Sequence, residues 1–254
     1  MSKKIGLLIP TTSRGRDSWA IIKDTYLYND SLKTLLLTQS REHRYIFYIG
    51  IDRDDRIFAN PLQQAEITKF KIVFKNIDIK FIIMEDVKRG HLTKMWNILF
   101  RQAYSEECDY FYQCGDDINF RTNGWINDAI ETLQRHNDIG LTGPINNNNR
   151  ILTQAFVSRK HMEIFGWFFP EEIINWCCDD WYNWVYQPRH FYPLEDHFCS
   201  NDGGAPRYQI NNNRNFAGKM GEHFNINTQK LRDDTMKLAE THKQLIKKYL
   251  KRKS

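Results

Sequence analysis

The stretch "DYFYQCGDDINF", residues 109–120, decides how the rest of the chain is read. An aromatic run of strand character ends at Gly115, and two aspartates, Asp116 and Asp117, follow side by side. Like charges repel, and burying either carboxylate alone is costly. Two uses remain for such a pair. One is an Asp-rich turn, capped by Asn119 and open to water. The other is a face presented to a divalent cation that carries a phosphorylated ligand.

Upstream, the chain alternates in a regular way. "KIGLLIP" (4–10) is a short apolar run ended by proline, the pattern of a strand buried on both faces. A polar loop, "TTSRGR", follows, and helix is expected from about 17 to 40. "YIFYIGID" (45–52) reads as a second strand, and "NPLQQAEITKFKIVF" as partly helical with Pro61 near its first turn. "IKFIIMED" (79–86) reads as a third strand. "HLTKMWNILFRQAYS" (91–105) spaces its apolar residues as a helix does. "DYFYQCGDD" is then the fourth strand. This predicts an α/β fold, an open sheet with helices on both faces, and ligands bind such sheets beyond the carboxyl ends of the strands. Those ends carry Thr11, Thr12, Ser13 and Arg14, then Asp52 and Asp54, then Glu85 and Asp86, then Asp116 and Asp117. The aspartate pair therefore belongs to a polar, acid-rich rim.

Downstream the pattern loosens. "GWINDAIETLQRH" (124–136) is an amphipathic helix, and "IGLTGPI" a strand and turn. Residues 165–186 are densely aromatic and hold a second pair, Asp179 and Asp180, while 188–227 show little periodicity. A helix is expected from about Thr228 to the basic end, "KQLIKKYLKRKS". No repeat or linker divides the chain. It is read as one domain, with a first half at about 1–120, an irregular second half at about 121–227 and a basic helix at about 228–254.

Composition narrows the class. Hydrophobic residues at 41% and charged ones at 26% exclude an extended disordered chain. The five cysteines are odd in number and form no C-x-x-C pair, so free thiols in a reducing compartment are expected. No leader-like or membrane-spanning stretch is read, which gives a cytoplasmic protein as the expectation. The net charge of +5 suits anionic ligands or a membrane surface. No aromatic-plus-basic motif supports nucleic acid. The basic terminal helix has a leucine stripe to pack on the domain, and peripheral contact with an anionic membrane is its other use.

At "LLIPTTSR", "YIGID" and "YFYQCGDDINF" the chain resembles the nucleotide-sugar-binding half of GT-A-fold glycosyltransferases. The resemblance implies a GT-A-like, Rossmann-like mixed sheet in which an acidic signature, often DxD, closes the last strand of the nucleotide-binding half. It implies Mn²⁺ or Mg²⁺ as cofactor and a nucleoside diphosphate sugar of UDP or GDP type as donor. The acceptor would be a glycan, glycoprotein or glycolipid hydroxyl. In this chain the acids are adjacent, where the family's are two apart. On alignment Asp117 is the metal ligand, and Asp116 contacts ribose or a metal-bound water, or shares the ion. Thr11 and Arg14 would lie along the nucleotide, Asp52 would accept from base or ribose, Arg89 would favour phosphate before a helix, and Asn97 would face the donor. His223 would return to the cation, and Lys219 would reach the diphosphate.

In inverting members of the family a carboxylate of the acceptor half takes the acceptor hydroxyl proton. "NWCCDDWYNW" offers Asp180 as that base and Asp179 as its helper, with Trp176, Trp181, Tyr182 and Trp184 as sugar-facing rings. An aromatic core with a helix cap at Asp179 is the other reading of the same residues. At the level of the whole chain, the alternatives are a nucleotidyltransferase, for which "PTTSRGRDSW" is a poor phosphate loop, and a non-catalytic carbohydrate-binding module.

Overall fold

The computed structural model describes residues 1–148, 150–204, 207–208 and 226–253, with backbone only at 226 and 227. Its strands are β1 (Lys4–Thr11), β2 (Arg44–Asp52), β3 (Ile77–Met84), β4 (Tyr110–Gln113), β5 (Ile118–Phe120), β6 (Leu141–Asn146), β7 (Ala155–Ser158) and β8 (Phe191–Asn201). They form one eight-stranded sheet in the order β3-β2-β1-β4-β7-β6-β8-β5. The pairs β1–β2, β2–β3, β1–β4 and β6–β8 are parallel. The pairs β4–β7, β6–β7 and β5–β8 are antiparallel, which makes the sheet mixed. Strand order runs outward from β1 through β2 to β3, then jumps to β4 on the other side of β1. That reversal opens a crevice at the carboxyl ends of β1 and β4.

Period-two alternation fills both faces. In β1, Ile5, Leu7 and Ile9 point into one core layer and Leu8 into the other. The first layer is closed by α1 (Lys33–Thr38), α2 (Pro61–Thr68), α3 (Phe70–Val73) and α5 (Trp125–Arg135), with Leu35, Ile67, Phe70 and Trp125 among its contacts. The second is closed by α4 (Leu92–Ser105), α6 (Lys160–Phe165), α7 (Cys178–Tyr186) and α8 (Ile226–Lys253), through Phe100, Phe165, Trp181 and Ile246. The expected α/β class with helices on both faces is what the chain forms.

Two regions differ from the sequence reading. The helix expected over 17–40 is a 3₁₀ turn at Ile22–Asp24, a π-helical segment at Leu27–Leu32 and then α1. The cause lies across the fold. Ser31 in the π segment donates to the Gly115 carbonyl at 3.1 Å and accepts from Ile118 N at 2.9 Å. Thr34 accepts from Phe120 N at 3.0 Å. The widened turn thus points hydroxyls at the acidic turn between β4 and β5, the kind of position where π-bulges recur. The second difference is that residues 191–201, read as irregular, form the long strand β8. Its exposed Glu195, Asp196 and Phe198 break the alternation that would have revealed it.

The second layer is rich in rings. Phe100 is fully buried, edge-on to Phe111 at 4.6 Å and to Phe168 at 5.1 Å between centroids. Phe100→Ala is expected to remove about 3–5 kcal/mol of unfolding free energy in urea melts. A loss below about 1 kcal/mol would contradict this packing.

Candidate functional site

The acidic turn closes the β1–β4 crevice. Pro10, Thr11 and Thr12 from the end of β1 face Gly115, Asp116 and Asp117 across a cleft of about 290 Å³. Leu92, Trp96, Asn175, Trp176, Asn201, Gly204, Arg207 and Tyr208 complete its wall. The two aspartates are not equivalent. Asp116 is fully buried and accepts from the Thr11 hydroxyl at 2.5 Å. It also accepts from both terminal nitrogens of Arg207, one of them at 2.6 Å. Arg207 in turn donates to the Thr12 carbonyl at 3.1 Å. A guanidinium fork bonded to both carboxylate oxygens is the strongest form of such a pair, and it neutralises the inner aspartate.

Asp117 keeps an open side, with 18% of its side chain exposed and the Arg207 guanidinium 3.7 Å away. Burial, then the neighbouring Asp116 charge, pushes its carboxyl up to about 6. The turn also needs glycine around it. A Cβ on Gly203 would lie 1.9 Å from an Asp117 oxygen, and one on Gly115 would lie 2.5 Å from the other. Side chains at either position would drive the carboxylate out of its place.

Beside the cleft, and sharing Thr12 with it, is a hollow of about 220 Å³ lined by Ser13, Arg14, Asp52, Asp54 and Asp55. Asp55 builds it. This buried carboxylate accepts from Thr12 Oγ1, Ser13 N, Ser13 Oγ, Ile57 N and Phe58 N. It therefore ties the loop after β1 to the loop after β2. Asp52 accepts from the Tyr208 hydroxyl at 2.5 Å. Arg89 is ion-paired with the exposed Asp54, which brings it to the same rim.

Of the residues singled out in the sequence, Thr11, Arg14, Asp52, Arg89, Asp116 and Asp117 thus come together around two adjoining cavities. Asn97 does not. It is fully buried in α4, accepts from Phe168 N at 2.9 Å and Phe169 N at 2.8 Å, and donates to the Phe169 carbonyl at 2.8 Å. Its polarity serves that buried turn, because unpaired N–H groups there would be costly. Asp116 is likewise not an open metal ligand in this arrangement, since Thr11 and Arg207 take both of its oxygens. Lys219 and His223 lie outside the described residues.

The second aspartate pair opens α7. Neither member lines the cleft, although Asn175 and Trp176 of the same segment do. Asp180 is buried, ion-paired with Arg150 and 3.6 Å from Arg232 Nε. Asp179 accepts from Asp180 N at 3.0 Å. Burial and the Asp180 charge push its carboxyl up to about 7. Of the rings expected to meet sugar, Trp176 lines the cleft. Trp181 and Tyr182 are fully buried on the core side of α7, and Trp184 packs beneath the Arg232 guanidinium at 5.4 Å. Trp96, buried in the second core layer, also forms cleft wall, with its indole N–H on the Leu8 carbonyl at 3.2 Å.

Asp55, Arg207, Tyr208 and Gly203 were missed in the sequence. Asp55 carried a usable signal, since aspartate commonly caps a turn by accepting from the backbone N–H two residues on, as it does here from Ile57. Arg207 is 91 residues from Asp116 and sits in a stretch without periodicity, so nothing local marks it. Among the described residues, no group of three or more His, Cys, Asp and Glu side chains is arranged to hold a metal.

No protein-family model matches the chain, and no curated protein sequence does. Solved structures do match in shape. S. aureus TarS 1–349 in complex with UDP-GlcNAc superposes with a TM-score of 0.53 at 14% identity, over 80% of this chain and 60% of that one. A further structure of S. aureus TarS 1–349 gives 0.51 at 14% identity, over 77% and 60%. A longer TarS chain gives 0.50 at 14% identity, over 77% and 36%. The chain thus spans little more than a third to three fifths of the TarS chains it matches. At this identity the likeness is one of fold, and the fold is the GT-A type.

The raised carboxyl of Asp179 has a consequence for stability. A group that binds its proton more tightly folded than unfolded favours folding at low pH, and that contribution is lost as pH rises through about 7. Asp179→Asn removes the charge that is costly at high pH. The variant should therefore be more stable than the parent at pH 8 and lose that advantage by pH 4, in chemical melts at the two values. An advantage that does not change with pH would contradict the assignment.

Proposed function

We propose that this protein is a glycosyltransferase that moves a sugar from a UDP- or GDP-type nucleotide sugar to a hydroxyl of a glycan, glycoprotein or glycolipid acceptor. The observation that carries the reading is the cleft at the sheet's point of strand-order reversal, closed by an acidic turn. The fold is shared with a protein whose structure was determined in complex with UDP-GlcNAc, and UDP-GlcNAc is the first donor to test.

Asp117, with an open side and hard oxygen donors, suits Mn²⁺ or Mg²⁺, which take one or two carboxylates and leave other positions to water and phosphate. Bound there, the cation supplies positive charge to the diphosphate leaving group. Asp116 positions the turn, while Thr11, Thr12, Arg14 and Asp52 line the path of the nucleotide. Arg207 lines the cleft with its fork held by Asp116, so its part is to keep the inner aspartate neutralised beside the diphosphate. His223 as a further ligand and Lys219 toward the diphosphate rest on the family resemblance alone.

In the transfer itself the acceptor oxygen attacks the anomeric carbon, and the bond from that carbon to the diphosphate breaks with its electron pair leaving on the diphosphate. The hydroxyl proton goes to a carboxylate, for which Asp180 is the candidate base and Asp179 its helper. Asp179 titrates near neutrality, the range in which a carboxylate base is most effective. Both arginines meet Asp180 at Oδ1, and Oδ2 is the oxygen that would take the proton.

The test is UDP or GDP release from a panel of nucleotide sugars, with and without Mn²⁺. One donor should be slowly hydrolysed in a metal-dependent way, and Asp117→Ala should cut the rate by about 10²-fold or more. Asp180→Asn should spare donor binding and abolish transfer; loss in Asp179→Asn alone would reverse the two roles. Binding of nucleoside triphosphates without nucleotide sugars would point to nucleotidyl transfer. Sugar binding indifferent to metal and to Asp117→Ala would point to a binding module.

A further inference from the structure

A further cavity lies away from the cleft and its adjoining hollow, where the C-terminal half of α8 meets the turn that follows α7. This groove of about 280 Å³ is lined by Val185, Tyr186, Ile246 and Leu250 on its apolar side, and by Arg189, His190, Lys243 and Lys247 on its polar side. No carboxylate lines it. Lys243 is ion-paired with Glu240. Arg189 and Lys247 are exposed, and the 39%-exposed Leu250 projects at the groove's edge. Arg232, near the start of α8, reaches Asp180. Lys247 comes fifteen residues later, roughly 22 Å along the helix axis, so the groove is separate from the chemistry proposed above.

The charge around it is concentrated. Residues 243–253 contain six Lys and Arg and no acid. The whole chain has 36 basic against 31 acidic residues, so without those six the balance would be 30 against 31. All of the positive excess therefore sits on the last turns of one helix. Cations are favoured at a helix C-terminus by its dipole, but the dipole acts on the last turn only. It does not account for Lys247, for Arg189 on a different element, or for an exposed leucine between them.

We infer that this groove and the end of α8 dock on an anionic membrane surface, with a lipid phosphate among Arg189, Lys247 and Lys248 and Leu250 entering the interface. The occupant is chosen by chemistry. A phosphate flanked by hydrocarbon matches a cationic wall beside an apolar floor. A nucleic acid backbone would use the cations and leave the exposed Leu250 without a partner. No described helix is long and apolar enough to cross a membrane, so this is contact at the surface.

The experiment is co-sedimentation of the full chain with phosphatidylcholine vesicles and with the same vesicles containing phosphatidylglycerol. Binding is expected to the anionic vesicles only and to weaken as salt is raised. Lys247→Gln, Lys248→Gln and Arg189→Gln should each lower the partition constant about fivefold. Leu250→Ser should lower it without changing its salt dependence. Lys237→Gln, at an exposed site on an earlier turn, should leave it unchanged. All five positions are exposed, so each variant is expected to fold, and circular dichroism checks this. Equal binding to both vesicle types, binding that survives Lys247→Gln with Arg189→Gln, or saturation by inorganic phosphate with no vesicle binding would overturn the inference. So would capture by single-stranded RNA with no vesicle binding. None of these outcomes depends on donor chemistry, so this inference and the proposed transfer reaction fail independently.

Discussion

The structure around the cleft depends on how one buried carboxylate is satisfied. Asp116 has no access to water, and an unpaired charge there would cost several kcal/mol. It is held by the Thr11 hydroxyl from the end of β1 and by the Arg207 guanidinium from a remote part of the chain. One side chain therefore joins the two strands that flank the crevice and brings a third segment against them. With its inner member neutralised, the adjacent pair no longer suffers the full repulsion that made the sequence puzzling. Asp117 becomes the member free to face a ligand, and its carboxyl, at about 6, still reports the neighbouring charge and its own burial.

That arrangement is supported from beneath by the sheet. A reversal of strand order forces the loops after β1 and β4 apart, and the gap is where polar groups can sit without water being excluded from all of them. Ser31 and Thr34 fasten the β4–β5 turn from one side, and Asp55 fastens the β1 loop from the other. Such supporting hydrogen bonds hold the geometry of the cleft in place.

Much of the first half was legible because its strands are buried on both faces and read as unbroken apolar runs, as in "KIGLLIP" and "YIFYIGID". The rim followed from where those runs end, and the fold brings Thr11, Arg14, Asp52, Asp116 and Asp117 of that rim to two adjoining cavities. What was not legible was long-range. Asn97 has the polarity and helical position of a ligand contact, yet its partners are backbone groups 71 and 72 residues away. The partner of Asp116 is 91 residues away. β8 was hidden because half of it faces solvent and its register against β6 shifts between Pro144 and Ile145. The π segment, too, is set by a turn 84 residues distant rather than by its own sequence.

The central claim is that the open carboxylate of Asp117 meets a cation carrying a nucleotide diphosphate in the crevice between β1 and β4. A crystal structure of the protein with UDP and Mn²⁺, with the metal located by its anomalous signal, tests it most directly. The account predicts a manganese peak in bonding contact with an Asp117 oxygen and with the diphosphate, with the nucleoside along Thr12 and Asp52. A nucleotide bound elsewhere, or a metal in the crevice that ignores Asp117, would contradict it.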